Sequence, residues 1–398
     1  MMSRKPRPYP IIYALLGLLA VALASGSSAA PKYKVLHGFT GGSDGGGLWG
    51  SLTLDGKGNV YGATTTTIFV LTPHSDGMWG FAVLQRFSKD GPPNGGLIFD
   101  GAGNLYGTTQ ICCPYGYGEV FELSPGSRGW KKKVLYHFSA KDHAGAPWDG
   151  PIMDKAENLY GTGGSAFELS PTSDGWRFTS LHEFPSFSGD GINPYAGLVM
   201  DAAGNLYGTT ENGGINDCGF SDGCGTVYEL SPTAGGKSKE HILHKFGHGN
   251  DGVSPALGAL VIDRSGAVYG TTDIGGRLGY GTVFKLTPGS DGKWTEAILH
   301  NFTSGAGGDH ASAGVVMDKS GNLYGTTIGG GSGCDCGVVY KLAPGQNGKW
   351  IYTVLHTFIG SDGAQPDANL ILDDKGNLYG TTATGGPGGY GVAFELTP

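Results

Sequence analysis

Residues Gly103–Thr109 read GNLYGTT, and the same seven letters return from Gly204, Gly321 and Gly376. Looser copies stand at Gly58 (GNVYGAT), Glu157 (ENLYGTG) and Gly266 (GAVYGTT). Each copy is a short apolar, aromatic and β-branched run opened by a turn residue, which describes a strand. Working outward, the unit from Asp251 to Phe302 holds four such runs: DGVSPALGALVID, GAVYGTT, GTVFKLTP and KWTEAILHNF. We call them strands a, b, c and d. The tyrosine of strand b falls at 61, 106, 160, 207, 269, 324 and 379, a spacing suited to propeller blades. Leu105 and Tyr106 point to opposite faces of strand b, so a lone sheet would leave one apolar face wet. Radial stacking buries both faces against neighbouring blades. Gly107, with no side chain, lets an aromatic ring approach the backbone.

The chain ends supply an independent count. The first strand-like run, YKVLHGF at 33–39, is of the d type, and the sequence stops after a c-type run, GVAFELTP. Seven of each strand type result only if the N-terminal strand completes the last sheet, which also removes two exposed edges. The expected fold is all-β: a seven-bladed propeller of four-stranded antiparallel blades, one domain over residues 30–398. Between a and b, Asp55, Asp100, Asp201, Asp263, Asp318 and Asp373 are each followed three residues on by glycine. Asp accepts backbone N–H groups in such a turn and Gly supplies the positive φ that ends it. In the third unit Glu157 replaces that glycine, which predicts either strain or a different turn.

Upstream of the repeats, Arg4, Lys5 and Arg7 precede the apolar run IIYALLGLLAVALA at 11–24 and small residues to Ala30. This is the layout of a secretory signal, residues 1–29, with an uncleaved anchor as the alternative. The formal charge is −8, and the leader holds three positive residues, leaving the remainder near −11. Nucleic acid and anionic membrane are excluded as partners on that balance, and no later segment is apolar enough to span a bilayer. Gly 76 and Pro 21 together make roughly a quarter of the chain. Their regular recurrence marks turns rather than disorder.

The ordered motif DxxGNLYGTT…GTVFELTP…W…VLHxF resembles the Gloeo/Verruco tandem-repeat family, also described as choice-of-anchor repeat proteins, over nearly all of the chain after the leader. The resemblance implies an exported bacterial protein, often tethered through a C-terminal anchor. Nothing follows Pro398, so a soluble secreted, periplasmic or cell-surface monomer is the expectation.

Symmetry sorts the chemistry, because a reaction needs one unsymmetrical place. Residues present in every unit, such as the DxxG carboxylates, therefore read as structural, and so do the histidines of LHxF, whose places in two units are taken by Gln85 and Tyr136. The b–c and d–a loops vary most and lie at one end of the ring, where binding is expected. There Asp190, Asp251 and Asp362 open DGxxP segments, with looser relatives at Asp44 and Asp90. They read either as Asp-Gly turns or as an oxygen ring around the channel mouth suited to calcium or sugar hydroxyls. Apart from that calcium alternative, no cofactor or metal is expected. Tyr117, Tyr280 and Tyr390 precede the glycine that opens strand c, and Trp148 and Arg277 belong to the same face. They suit a glycan or peptide, or else cover their own hairpins. Asp142, His143 and Asp149, with Asp309 and His310, are the non-repeated acid–base candidates, although sequence neighbours in a strand point apart. Cys218 and Cys224 can close a small loop; for Cys112, Cys113, Cys334 and Cys336 close pairing would be awkward, leaving cross-pairs or free thiols. The leading reading is an exported binding module for a glycan, peptide or partner protein. The alternatives are a carbohydrate- or lactone-directed hydrolase or lyase at the channel mouth and a structural cell-envelope protein.

Overall fold

The computed structural model describes residues 30–398 apart from 89–90, 112–115, 144, 186–188, 216–217, 220, 256–257 and 332. The leader, Asp90, Cys112 and Cys113 lie outside the described residues. Residues 31–398 form one compact unit of seven blades, each ordered a-b-c-d. The first comprises Thr53–Leu54, Val60–Ala63, Thr67–Pro73 and Trp79–Arg86, and the next five occupy 93–137, 152–183, 199–245, 261–301 and 316–357. The last takes Ile371–Leu372, Leu378–Thr381 and Val392–Thr397 from the C-terminus and Lys32–Gly38 from the N-terminus. That fourth strand pairs antiparallel to Val392–Thr397, with Lys32 opposite Thr397 and Gly38 opposite Val392. Among the described residues, no helix is long and apolar enough to cross a membrane.

Most letters of the repeated stretch have a task. Asp100 Oδ1 accepts the backbone N–H groups of Ala102 and Asn104, and its Oδ2 accepts Asn104 Nδ2 at 2.7 Å and the Tyr106 hydroxyl at 3.1 Å. These bonds outweigh partial burial and hold the Asp100 carboxyl below its usual range. Leu105 packs with Tyr61 and Phe87 of blade 1, whereas Tyr106 packs with Leu159 and Phe167 of blade 3. Phe121 of strand c lies across Gly107, where an added Cβ would meet its ring at 2.6 Å. The Thr108 hydroxyl then bonds the Asp149 carbonyl of the next blade at 3.0 Å.

At Glu157 the turn is the ordinary one, with its N–H bonding the Asp154 carbonyl at 3.1 Å, and the residue is held at φ 64°. A non-glycine residue there costs about 1–2 kcal/mol. Glu157→Gly is therefore expected to stabilise the protein by roughly 1 kcal/mol, read as a Tm rise of about 2 °C for a chain of this size. An unchanged or lower Tm in calorimetry would contradict the strain.

In each c–d pair the register slips once, as between Val227 and Tyr228, and the same irregularity recurs at Val35/His37 in the closing pair. This bulge leaves the leucine of LHxF unpaired and turns the histidine toward the next blade's d strand. There His37 stacks on Phe81, His300 on Tyr352 and His356 on Tyr33, with centroids 3.8–4.0 Å apart. Blades 3 and 4 differ, since His182 and His244 face Glu240 and Glu296.

Candidate ligand site at the channel mouth

The d–a loops carry the chain from the outer strand of one blade to the innermost strand of the next, so their last residues encircle the axis. Adjacent loops touch backbone to backbone. A Cβ on Gly50 would overlap the Gly95 carbonyl, one on Gly150 the Gly96 carbonyl, and one on Gly258 the Gly314 nitrogen. Further out, six of the seven loops hold a residue with φ between 56° and 64°: Gly47, Ala146, Asn193, Ser254, His310 and Gln365. Five of them donate their N–H to the preceding blade, at the carbonyls of Tyr390, Tyr117, Cys224, Tyr280 and Cys336. The mouth is a hydrogen-bonded ring, and its strained positions are the kind that structures retain where side chains must be aimed.

On this ring a cavity of about 280 Å³ is lined by residues of five unlike blades. Trp49 and Trp148 stand at its rim, 52% and 41% exposed. Trp148 leans on Tyr195 with ring centroids 5.0 Å apart. Gln110, Asp149, Asp367 and Asn369 supply polar lining. Asp149 Oδ1 accepts the N–H groups of Gly150 at 2.7 Å and Gly96 at 3.0 Å, while burial pushes its carboxyl upward. Asn369 Oδ1 accepts the Gly314 N–H at 2.7 Å.

Asp367 joins the cavity to a second polar group. Burial, aided by the charge of Asp273, pushes Asp367 up to about 7, and its buried Oδ1 has no hydrogen-bond partner. Asp273 lies 3.3 Å from His310 Nδ1 and accepts the Ser312 hydroxyl at 3.0 Å. Glu211 is raised by burial and by the same Asp273. A carboxyl that titrates near 7 beside an imidazole–carboxylate pair can exchange protons at neutral pH.

The expected candidates disperse. Trp148 lines the cavity. Asp190, Asp251 and Asp362 each accept from the d-strand histidine of their own blade, His182, His244 and His356, at 3.0–3.2 Å, so the short DG segment lies against that strand. Tyr117 lies over Gly145 and Tyr390 over Gly41 and Gly46, so these rings cover the next blade's loop rather than their own hairpin. Tyr280 meets the next loop through its carbonyl, which accepts the His310 N–H. Arg277 is exposed, its N–H bonded to Asn301 Oδ1. Asp142 accepts Tyr136, and His143 shows no partnership with it. The partner of His310 is Asp273 of the preceding blade, not Asp309.

Cys218 is joined to Cys224, with Cα atoms 6.0 Å apart. Cys334 is joined to Cys336 at 5.2 Å, a close pairing that the spacing made look awkward. Asp335 between them has φ 56°, and that left-handed turn brings the two cysteines together.

Trp49, Tyr195, Glu211, Asp273 and Asp367 were missed from sequence. Their signal is where the repeat stops repeating. The residue after GTT and its looser copies is Thr65, Gln110, Gly164, Glu211, Asp273, Ile328 and Ala383 in turn. Six residues before each DxxG aspartate stand Trp49, Asn94, Trp148, Tyr195, Leu257, Ser312 and Asp367.

The sequence profile described as the Gloeobacter/Verrucomicrobia repeat matches residues 64–258 and 216–398. No curated protein matches by sequence. Among solved structures, a streptogramin B lyase superposes with a TM-score of 0.58 at 13% identity, covering 92% of this chain and 97% of the lyase. Virginiamycin B lyase from Staphylococcus aureus gives 0.56 at 14%, covering 92% and 99%. The extracellular domain of a proposed hybrid two component system from B. thetaiotaomicron gives 0.59 at 14%, covering 93% of this chain and 41% of that one. At such identities the likeness is one of fold.

Proposed function

Since the chain belongs to the Gloeobacter/Verrucomicrobia repeat family, whose repeats build a scaffold and leave individuality to the loops, we propose that it is an exported binding module for a carbohydrate seated at the channel mouth. The observation that carries this is the cavity in which Trp49 and Trp148 face Gln110, Asp149, Asp367 and Asn369. A sugar ring presents an apolar face that stacks on an aromatic side chain and an edge of hydroxyls that carboxylates and amides bind. At about 280 Å³ the cavity suits a single small ring or the end of a chain. Export fits the two disulfides, which persist in oxidising compartments.

A glycan array with residues 30–398 tests the reading, and a blank array refutes it. On any glycan that binds, Trp148→Ala is expected to weaken affinity about 30-fold, the loss of roughly 2 kcal/mol typical of a central aromatic anchor. Affinity for a neutral sugar should rise as pH goes from 6 to 8, because Asp367, at about 7, becomes the anionic acceptor. Asp367→Asn should flatten that profile.

One observation favours a second reading, a carbohydrate- or lactone-directed hydrolase or lyase. His310 is held by Asp273 close to a carboxyl that titrates near neutrality. Turnover in a generic hydrolase and lyase screen, lost in His310→Ala while glycan binding survives, would establish that reading.

A further inference from the structure

Two blade interfaces break the symmetry in the same way. Where four of the other d strands present Phe81, Phe178, Tyr352 or Tyr33 to the preceding blade's d-strand residue, and blade 2 has Lys132 at that position, blades 4 and 5 present Glu240 and Glu296. His182 Nε2 lies 3.2 Å from Asp190 Oδ2 and 3.6 Å from Glu240 Oε2. His244 Nε2 lies 3.0 Å from Asp251 Oδ2 and 3.7 Å from Glu296 Oε1. In each group the three ligand atoms fall within 4.8 Å of one another. We propose that these are two divalent-cation sites, each a His–Asp–Glu set closing a blade interface, with zinc as the fitting ion.

Three observations converge. First, the spacing is right: donors at about 2.0–2.2 Å from a tetrahedral ion stand about 3.4 Å apart, and the distances from each imidazole bracket that value. Second, each side chain in both sets is at least four-fifths buried. Two carboxylates facing one imidazole in that setting need a cation or a shared proton between them. Third, Glu240 Oε1 and Glu296 Oε1 are buried without a hydrogen-bond partner. The substitution of Glu for an aromatic ring gives up a stacked contact that four of the other interfaces keep, so the carboxylate must answer to something else. One nitrogen and two oxygens with room for a water is a zinc set, whereas calcium takes 6–8 oxygens. The ion would rivet neighbouring blades through their outermost strands, away from the channel mouth.

The full chain after its leader is freed of metal with a chelator, equilibrated with zinc at neutral pH, desalted and analysed for bound metal. The result expected is roughly two zinc per chain, with a Tm rise of several degrees. Glu240→Gln and Glu296→Gln should each hold roughly one, and the double variant none, while calcium binds nowhere in these sets. Gln keeps the shape of a protonated Glu, so folding is retained if a shared proton is all the interface needs. The proposal is overturned if the wild type retains no zinc, or if the double variant retains as much as the wild type. Should the double variant not fold, visible bands of tetrahedral cobalt in the wild type and their halving in each single variant decide the same question.

Discussion

A chain lacking Lys32–Gly38 is expected not to reach a stable monomer. The segment supplies the entire outer strand of blade 7, from the Lys32–Thr397 pair to the Gly38–Val392 pair. Its loss removes Leu36 from the core shared with Leu52 and Phe69. It also removes Tyr33, whose ring stacks 3.8 Å from His356 and whose hydroxyl bonds the Asp362 carbonyl at 2.7 Å. Each large apolar side chain lost from burial costs about 1.5–3 kcal/mol, and Val392–Thr397 becomes an open edge inviting aggregation. The sum reaches the whole stability of an ordinary domain, about 5–15 kcal/mol. A permutant beginning at Phe39 and carrying residues 32–38 after Pro398, through a turn copied from Gly289–Gly292, should recover the fold, because Lys32 and Thr397 are already partners. Size-exclusion chromatography and thermal unfolding read both outcomes. A truncated monomer that melts cooperatively at the parental Tm would refute the closure.

Gly150→Ala is the second large effect, and it acts at the opposite end of the radius. The new methyl would occupy the space of the Gly96 carbonyl, so blades 2 and 3 must part at the axis. Parting them also withdraws the Gly96 N–H from Asp149 Oδ1, leaving a buried carboxyl short of a donor. Overpacking costs about 1–3 kcal/mol and an unsatisfied buried polar group about as much again. The expected loss is therefore about 3 kcal/mol or more, together with loss of glycan binding, measured by denaturant unfolding and by the array. Gly56→Ala, at a position where an added Cβ meets nothing within 4 Å, is the control and should be nearly neutral.

Blade number, closure and the DxxG turn could all be read from the sequence because they are written many times over, and each copy corrects the noise in the others. Even the lapse at Glu157 was informative, since six regular turns narrowed the seventh to strain or a different turn, and the structure shows strain. Individuality has no second copy. His310 finds Asp273 from the preceding blade, and Asp367 feels Asp273 from two blades away. Nothing local in GGDHAS or PDAN announces those partners. The DG aspartates were only partly legible for a related reason. Their place in the loop pointed to the mouth, but their partners are histidines six to eight residues earlier, drawn into reach by the bulge. At Cys334–Cys336 the spacing argued against closure until the backbone of Asp335 was known.

Joining the first strand to the last also sets a timetable. The seven residues Lys32–Gly38 have no strand partner until Val392–Thr397 emerges, hundreds of positions later. Contacts so distant along the chain form late and slowly. Six blades can assemble in order behind the ribosome, yet the circle stays unlatched until Val392–Thr397 has emerged, and a product interrupted before that is left with a raw flank for quality control to recognise.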